Sequence, residues 1–176
     1  MHILVSAASR HGATAAIADT VAETLRRFGH RVDVRQPEWV GSITGYDAIV
    51  LGSAVYAGRW RAAARLMARR IQKEVAPDVP VWLFSSGPVG NAGEADGACT
   101  DAEVACKRIH ARGHRVFPGV LWRSQLSMVE RAVVSVARAE EGDHRDWPAI
   151  ELWATDIANE LAVRAAGGAT PVAADG

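Results

Sequence analysis

Short apolar runs alternate with amphipathic stretches along most of the chain. Runs that suit buried strands lie at residues 3–6, 32–34, 48–51, 81–84 and 116–121. Between most of them, apolar residues recur every three or four positions, which is the period of a helix with one buried face. Strands that alternate with helices predict a parallel sheet covered by helices on both faces.

The helical segments each have a predicted inner face, and only the link between strands two and three, RQPEWVGSITGYD, has no strong helical pattern and is predicted to be a loop. The last helix begins near Asp146, a capping residue, with Pro148 in its first turn. In chain order, the predicted inner positions are Ile17, Val21, Leu25 and Phe28; Ala63, Leu66, Met67 and Ile71; Ala98, Ala102, Ala105 and Ile109; Leu126, Val129, Val133 and Val136; and Ile150, Trp153, Ile157 and Leu161.

Five strands in this alternation predict an α/β three-layer sandwich with a five-stranded parallel sheet in the order 2-1-3-4-5. The 176 residues suit one domain, and no repeat or linker divides them. We expect this domain to span residues 1–164. Residues 165–176, which are small, polar and aperiodic, are expected to form a flexible tail.

Three loops are expected to meet at the carboxyl edge of such a sheet, where ligands bind near the point at which the winding changes direction. They are 9–14, 53–60 and 85–93. The first contains Ser9, Gly12 and Thr14 and leads directly into a helix. Unpaired backbone N–H groups and the positive end of the helix dipole make that junction suitable for a phosphate. Helix capping alone explains the same residue types equally well.

The second and third loops, GSAVYAGRW and SSGPVGNAG, are rich in small residues that let a ligand approach the backbone. Tyr56 and Trp60 are candidates to cover a flat ring, although Trp60 by itself is more typical of a core residue. Together the three loops favour a phosphorylated planar heterocycle.

Several motifs resemble a known family. SRHGAT is similar to the phosphate loop of flavodoxins, Thr/Ser-x-Thr-Gly-x-Thr, with His11 in place of a threonine. DAIVLGSAVYAGRW, VWLFSSGPVG and EGDHRDWPAIELWA together resemble bacterial flavodoxin-domain proteins of the quinone-linked (menaquinone-dependent) protoporphyrinogen oxidase type. The resemblance covers residues 1–163 and implies a flavodoxin-like fold. The histidine substitution also occurs in the oxidase-like branch.

The resemblance implies FMN as cofactor, with the first loop on its phosphate and the other two along either side of the isoalloxazine. The implied binding residues are Ser9, Arg10, His11, Gly12, Ala13 and Thr14; Ser53, Ala54, Val55, Tyr56, Ala57, Gly58, Arg59 and Trp60; and Ser85, Ser86, Gly87, Pro88, Val89 and Gly90.

Other functional classes lack their motifs. Acidic and basic residues balance at 20 each, so no overall field attracts nucleic acid. Carboxylates that would hold a receiver domain's magnesium are missing after strands one and three, and no GxGxxG, GxxxxGK[ST] or GxSxG motif is present. Neither the six histidines nor Cys99 and Cys106 have metal-ligand spacing, and the cysteines are expected to be core residues.

The charge pattern bears on whether the protein is an enzyme or a carrier. An electron-carrier flavodoxin is expected to be acidic around its flavin. This chain is neutral, and a basic run follows the second loop: Arg59, Arg61, Arg65, Arg69, Arg70 and Lys73. That run is either a solvated helix face or, through Arg59 and Arg61, a site for the flavin or an anionic substrate.

An FMN-dependent oxidoreductase is therefore the leading hypothesis. The resemblance suggests a porphyrinogen-type substrate, a quinone acceptor, and Trp122 and Arg123 as a lid, or else an exposed turn. The alternatives are an FMN electron-transfer protein serving a redox partner, and a flavin-free interaction module. No catalytic side chain is identified. We expect a cytoplasmic protein, peripheral to the membrane if quinone-linked, without a membrane-spanning segment; a homodimer is a candidate state.

Overall fold

A computed structural model describes residues 1–56, 58–87, 99–121 and 141–167. Strands and helices alternate through most of these ranges, as the apolar pattern predicts. The strands are β1 (His2–Ala8), β2 (Arg31–Arg35), β3 (Ala48–Tyr56), β4 (Arg59–Trp60), β5 (Val81–Gly87), β6 (Gly113–Pro118), β7 (Val120–Leu121) and β8 (Gly142–Asp143). The helices are α1 (Ala13–Arg27), α2 (Ala62–Glu74), α3 (Thr100–Ile109) and α4 (Trp147–Gly167).

Five strands form a parallel sheet in the spatial order β2-β1-β3-β5-β6. Counted along the chain, these five have the order 2-1-3-4-5, so the predicted fold class and topology are confirmed. The register places Ala8 beside Ser53, and Ser53 beside Ser85. The ends of β1, β3 and β5 therefore lie at one edge of the sheet, with the winding reversing between β1 and β3.

Of the four described helices, two pack on each face of the sheet. Ile3, Val5 and Ala7 of β1 belong to one buried cluster with α1 and α4, whereas Leu4 and Ala8 belong to another with α2 and α3. The period of two along the strand produces this division. Gly52 is required where β3 meets β5, because a Cβ there would lie 2.1 Å from the Phe84 ring.

Two predicted inner positions are wrong. Phe28 follows the last residue of α1 and is 49% exposed, because the helix ends at Arg27 before another turn can carry it to the sheet. Leu66 is 57% exposed. The inner face of α2 is instead formed by Ala64, Met67, Ala68 and Ile71, a stripe that does not include position 66.

The strand predicted at 116–121 is divided. β6 begins earlier, at Gly113, and ends at Pro118, and β7 then pairs with β8 rather than with the main sheet. Val116 is 46% exposed because β6 is the edge strand. The link between β2 and β3 contains a short 3-10 turn, Pro37–Trp39, in the predicted loop.

The predicted last helix is present as α4, and the Asp146 carboxylate accepts the backbone N–H of Ala149 at 3.0 Å. The helix ends at Gly167, so residues 165–167 are helical. Cys99 is buried before α3, Cys106 is half-buried within it, and both are free thiols. The helix predicted around 126–136, Ala98 and most of the predicted tail lie outside the described residues.

Candidate functional site

The start of α1 is open to solvent. Gly12 occupies the N-cap position with φ of 87°, and no side chain caps the helix. The first helical hydrogen bond of this turn joins the Ala16 N–H to the Gly12 carbonyl at 2.9 Å. The N–H groups of residues 13–15 therefore come before the regular helical bonding pattern, at the positive end of the dipole. The first turn contains no acidic residue, so the junction suits an anion.

The loop before α1 supports this opening. The Ser9 hydroxyl accepts the backbone N–H of Gly12 at 3.1 Å, which fixes the turn. Thr14, in the first helical turn, is 2% exposed, whereas Arg10 and His11 are exposed. An L side chain at the Gly12 conformation is strained, which explains the glycine.

The segment predicted as the second loop is mostly a β-hairpin. Ser53, Ala54, Val55 and Tyr56 belong to β3, and the chain turns at Gly58, with φ of 70°, into β4. Val55 pairs with Trp60 and Tyr56 with Arg59 in antiparallel register. Val55 and Tyr56 are half-buried. Ala57, at the turn, lies outside the described residues. The hairpin gives this wall of the site a fixed backbone.

Trp60 lies behind this wall. Its side chain is 2% exposed within the core beneath α2 and α3. Its indole N–H donates to the Ser85 hydroxyl at 2.8 Å, and that oxygen lies 2.8 Å from Nε2 of His114. Because an indole nitrogen only donates, Ser85 accepts from Trp60, and its hydroxyl forms a second hydrogen bond with the ring of His114. The geometry favours Tyr56, rather than Trp60, as the aromatic residue available to a ligand.

Burial lowers the pKa of His114 below its usual value, although the negative charge of Glu103 opposes the shift. The lowered pKa favours the neutral form of the His114 ring. A fixed network of Trp60, Ser85 and His114 therefore connects β4, β5 and β6 beneath the edge of the sheet.

Arg59 is held by α3. Its guanidinium donates to both carboxylate oxygens of Asp101, at 2.8 and 3.2 Å, and the same carboxylate accepts the Trp60 backbone N–H at 3.0 Å. Arg65 approaches Asp101 at 3.6 Å. Burial raises the pKa of Asp101, but the hydrogen bonds from Arg59 and Trp60 and the nearby arginine charges outweigh it, so the net pKa is lowered. Much of the Arg59 charge is thus balanced within the protein.

The end of β5 forms the opposite wall. Ser85 and Ser86 are buried and Gly87 is half-buried. The Gly87 carbonyl accepts the N–H of Gly119 at 2.8 Å, which joins this wall to the end of β6. Pro88, Val89 and Gly90, together with the suggested lid residues Trp122 and Arg123, lie outside the described residues.

Two important residues were not identified from the sequence. Asp101 anchors the hairpin from 41 positions away from Trp60, and His114 completes the buried network from 29 positions away from Ser85. Long-range pairing gives no local signal. The one available clue was the pair of acidic residues, Asp101 and Glu103, in the first turn of α3, where they complement the helix dipole.

The sheet order and the uncapped glycine turn before α1 define an α/β protein with an open helix start at the carboxyl edge of its sheet. The family model for the flavodoxin domain matches residues 4–147. The chain belongs to the flavodoxin-domain family, which implies FMN as its cofactor.

Solved structures agree on the fold. An archaeal flavodoxin is 16% identical with a TM-score of 0.60, over 92% of this chain and 99% of that one. A flavodoxin from Streptococcus pneumonia TIGR4 is 18% identical with a TM-score of 0.64, over 93% of this chain and 99% of that one. Rubredoxin oxygen:oxidoreductase from Desulfovibrio gigas is 13% identical with a TM-score of 0.65, over 94% of this chain and 37% of that one. No curated protein matches.

Proposed function

We propose that this chain is an FMN-dependent electron-transfer protein whose flavin lies at the carboxyl edge of the sheet. The observation that carries the proposal is the open start of α1, where Gly12 exposes several N–H groups with no capping side chain and no acidic neighbour. The phosphate of FMN would bind across residues 9–14. The isoalloxazine would lie between the β3–β4 hairpin, with Tyr56 against it, and the end of β5.

The residues present fit this cofactor. An uncapped helix start supplies backbone donors for a phosphate. The half-buried side chain of Tyr56 at the end of β3 and the half-buried backbone at Gly87 at the end of β5 lie at the edge where the ring would bind. When bound, the flavin supplies the redox chemistry, and the protein positions the ring and tunes its potential.

The hydrogen bonds and the ion pair at this edge favour electron transfer that uses no acidic or basic side chain of the protein. Among the described residues, the buried hydroxyls of Ser53 and Ser85 and the ring of His114 bond to backbone or to one another. Arg59 is paired with Asp101. These groups hold the walls in place, and the structure therefore supports a carrier role better than a proton-transfer role for them.

A direct oxidoreductase activity is the second candidate, with a porphyrinogen-type substrate and a quinone acceptor. Arg61 and Arg65 stand at the start of α2 directly after the hairpin, where they would attract substrate carboxylates. Anaerobic addition of a porphyrinogen to the flavoprotein would bleach the flavin absorption if this activity exists, and a quinone would restore it. An unchanged spectrum would refute it.

A quinone-linked activity would place the protein at a membrane surface. Within the described ranges, no helix is long and apolar enough to cross a membrane.

The phosphate cradle is tested by a pair of variants at one position. We expect Gly12→Asp to weaken FMN binding at least ten-fold, about 1.4 kcal/mol, because it places a carboxylate beside the phosphate. Gly12→Asn has nearly the same shape without the charge, and asparagine tolerates a positive φ, so it should retain most of the affinity. Titration by visible absorption and flavin fluorescence measures both.

Thr14→Val provides a second probe in the same turn, and we expect it to weaken binding by removing the hydroxyl. If Gly12→Asp, Gly12→Asn and Thr14→Val all bind FMN as the parent chain does, residues 9–14 do not hold the phosphate. A folded parent chain that binds no FMN at all would instead favour an interaction module without flavin.

A further inference from the structure

The outer surface of α2 concentrates positive charge in a chain whose net charge is zero. Residues 61–74 contain five basic residues and one acidic residue. On the other face of the sheet, α4 has the reverse bias, with Glu151, Asp156 and Glu160 against Arg164. The charges are thus segregated across the molecule rather than mixed.

Two of the arginines on α2 already form ion pairs or hydrogen bonds within the protein. Arg70 pairs with Glu74 at 3.1 Å and also donates to the backbone carbonyls of Val40 and Gly41, while Arg65 shares Asp101 with Arg59. No carboxylate of the described residues forms an ion pair with Arg61, Arg69 or Lys73. These three cations are therefore left to face solvent or a partner.

The basic residues line up. Arg61, Arg65, Arg69 and Lys73 are each four positions apart, which at 100° per residue keeps them within an arc of about 120° over a length of about 18 Å. We call these four residues the basic strip. Its first member follows the β3–β4 hairpin directly, so the strip begins at the flavin edge of the sheet.

Two large exposed apolar side chains lie beside the basic strip. Leu66 is 57% exposed and Trp39 is 76% exposed. The bonds from Arg70 to Val40 and Gly41 tie α2 to the segment that carries Trp39. Trp39 ends the 3-10 turn Pro37–Trp39 and directly precedes Val40, one of the two residues bonded to Arg70.

We propose that the basic strip, with Leu66 and Trp39, is the docking surface for an acidic redox protein that exchanges electrons with the flavin. This inference rests on the proposed function. An exposed tryptophan and leucine bordered by cations match the aromatic anchor and charged rim of protein interfaces. A small, charge-guided contact suits a transient redox encounter.

A charge-guided protein partner explains the surface better than a membrane or nucleic acid does. Neutral net charge gives no long-range attraction to an extended polyanion, whereas a local strip complements a local acidic patch. The partner is thus defined by chemistry: a redox protein with carboxylates around its cofactor.

The test uses the FMN-loaded full chain and an acidic plant-type [2Fe–2S] ferredoxin as probe, reduced by photochemistry and mixed in a stopped-flow spectrophotometer. The electron-transfer rate constant should fall roughly ten-fold from low to physiological ionic strength. The double variant Arg69→Glu with Lys73→Glu should lower the low-salt rate by a similar factor. Trp39→Ser should lower it less and leave the salt dependence unchanged.

Arg115→Glu is the matched control, because Arg115 is an exposed arginine on edge strand β6, away from α2. It should leave the rate within about two-fold. A basic c-type cytochrome, used as the probe of opposite charge, should gain rate when the strip is reversed. Rates that rise with salt, or that respond equally to Arg115→Glu and the strip variant, would overturn the proposal.

Binding measured by anisotropy of labelled ferredoxin separates this proposal from the proposed function, because it does not need the flavin. A chain that binds FMN but shows no salt-sensitive ferredoxin binding disproves the docking surface and leaves the proposed function intact. A chain without FMN disproves the proposed function. Strip-dependent binding to anionic phospholipid vesicles or to single-stranded DNA, with none to ferredoxin, would assign the surface to a different partner and overturn the proposal.

Discussion

Two buried serines differ in whether their hydroxyl groups form hydrogen bonds. The hydroxyl of Ser53 donates to the Ala54 carbonyl at 2.9 Å and accepts the Arg61 N–H at 3.0 Å. The hydroxyl of Ser6 is fully buried and has no hydrogen-bond partner among the described residues. An unsatisfied buried hydroxyl costs free energy, whereas a satisfied one contributes stability.

Ser6→Ala is therefore expected to raise the free energy of unfolding by about 1 kcal/mol, because it removes an unsatisfied hydroxyl from the core. Ser53→Ala is the matched control and should lower it by about 1 kcal/mol. Chemical denaturation of both variants measures the difference. Equal losses in the two would show that the Ser6 hydroxyl has a partner in solution.

Histidine 114 gives the core a pH dependence. Its pKa is lowered by burial, so the unfolded chain binds a proton more readily than the folded one. The stability associated with neutral His114 is present above its usual pKa of 6.5 and is lost as the pH falls from there toward the lowered value.

His114→Gln keeps an acceptor but does not titrate, so we expect a flatter dependence of stability on pH between 7.5 and 5.5 than in the parent chain. Melting temperatures across this range provide the measurement. His30, whose pKa is lowered by burial and by the N-terminal charge, has the same sign of effect and remains in both proteins. Parallel curves for the two proteins would contradict the assignment to His114.

Among the elements, β4 shows most clearly what the sequence did not reveal. The apolar pattern predicted β1, β3 and β5 from buried runs and β2 from a short apolar stretch at 32–34, of which only Val32 is buried, and it predicted the helices of the described ranges from their period. A two-residue strand has no period, so the 53–60 segment was interpreted as a loop. Its conformation depends on Asp101, a contact that becomes visible only when α3 packs beside the hairpin.

Asp101→Asn should therefore destabilise the hairpin. We expect the free energy of unfolding to fall by about 1–3 kcal/mol, because the carboxylate accepts three hydrogen bonds at 15% exposure. FMN affinity should fall as well. Glu160→Gln removes an exposed pair with Arg112 at 2.8 Å and should cost less than about 1 kcal/mol. Denaturation and FMN titration compare the two, and similar small losses would show that Asp101 does not support the hairpin.

At the scale of the molecule, the sheet order and the shared edge at which β1, β3 and β5 end followed from the alternation of strands and helices, since parallel strands must end at one edge. Net charge was less informative. A value of zero concealed a basic α2 and an acidic α4, and only the packing of these helices on opposite faces shows that the charges are separated in space. Composition counts charges but cannot place them.

The joint between β5 and β6 links the site to a distant part of the chain. The Gly87 carbonyl accepts the Gly119 N–H, and the Gly119 carbonyl in turn accepts the N–H of His144, just before α4, at 3.1 Å. A ligand that polarises or shifts the peptide at Gly87 will alter the geometry of both hydrogen bonds in this relay. The amide resonances of Gly119 and His144 are consequently natural reporters in a nuclear magnetic resonance titration, one bonded directly to Gly87 and one bonded to the next peptide in the relay.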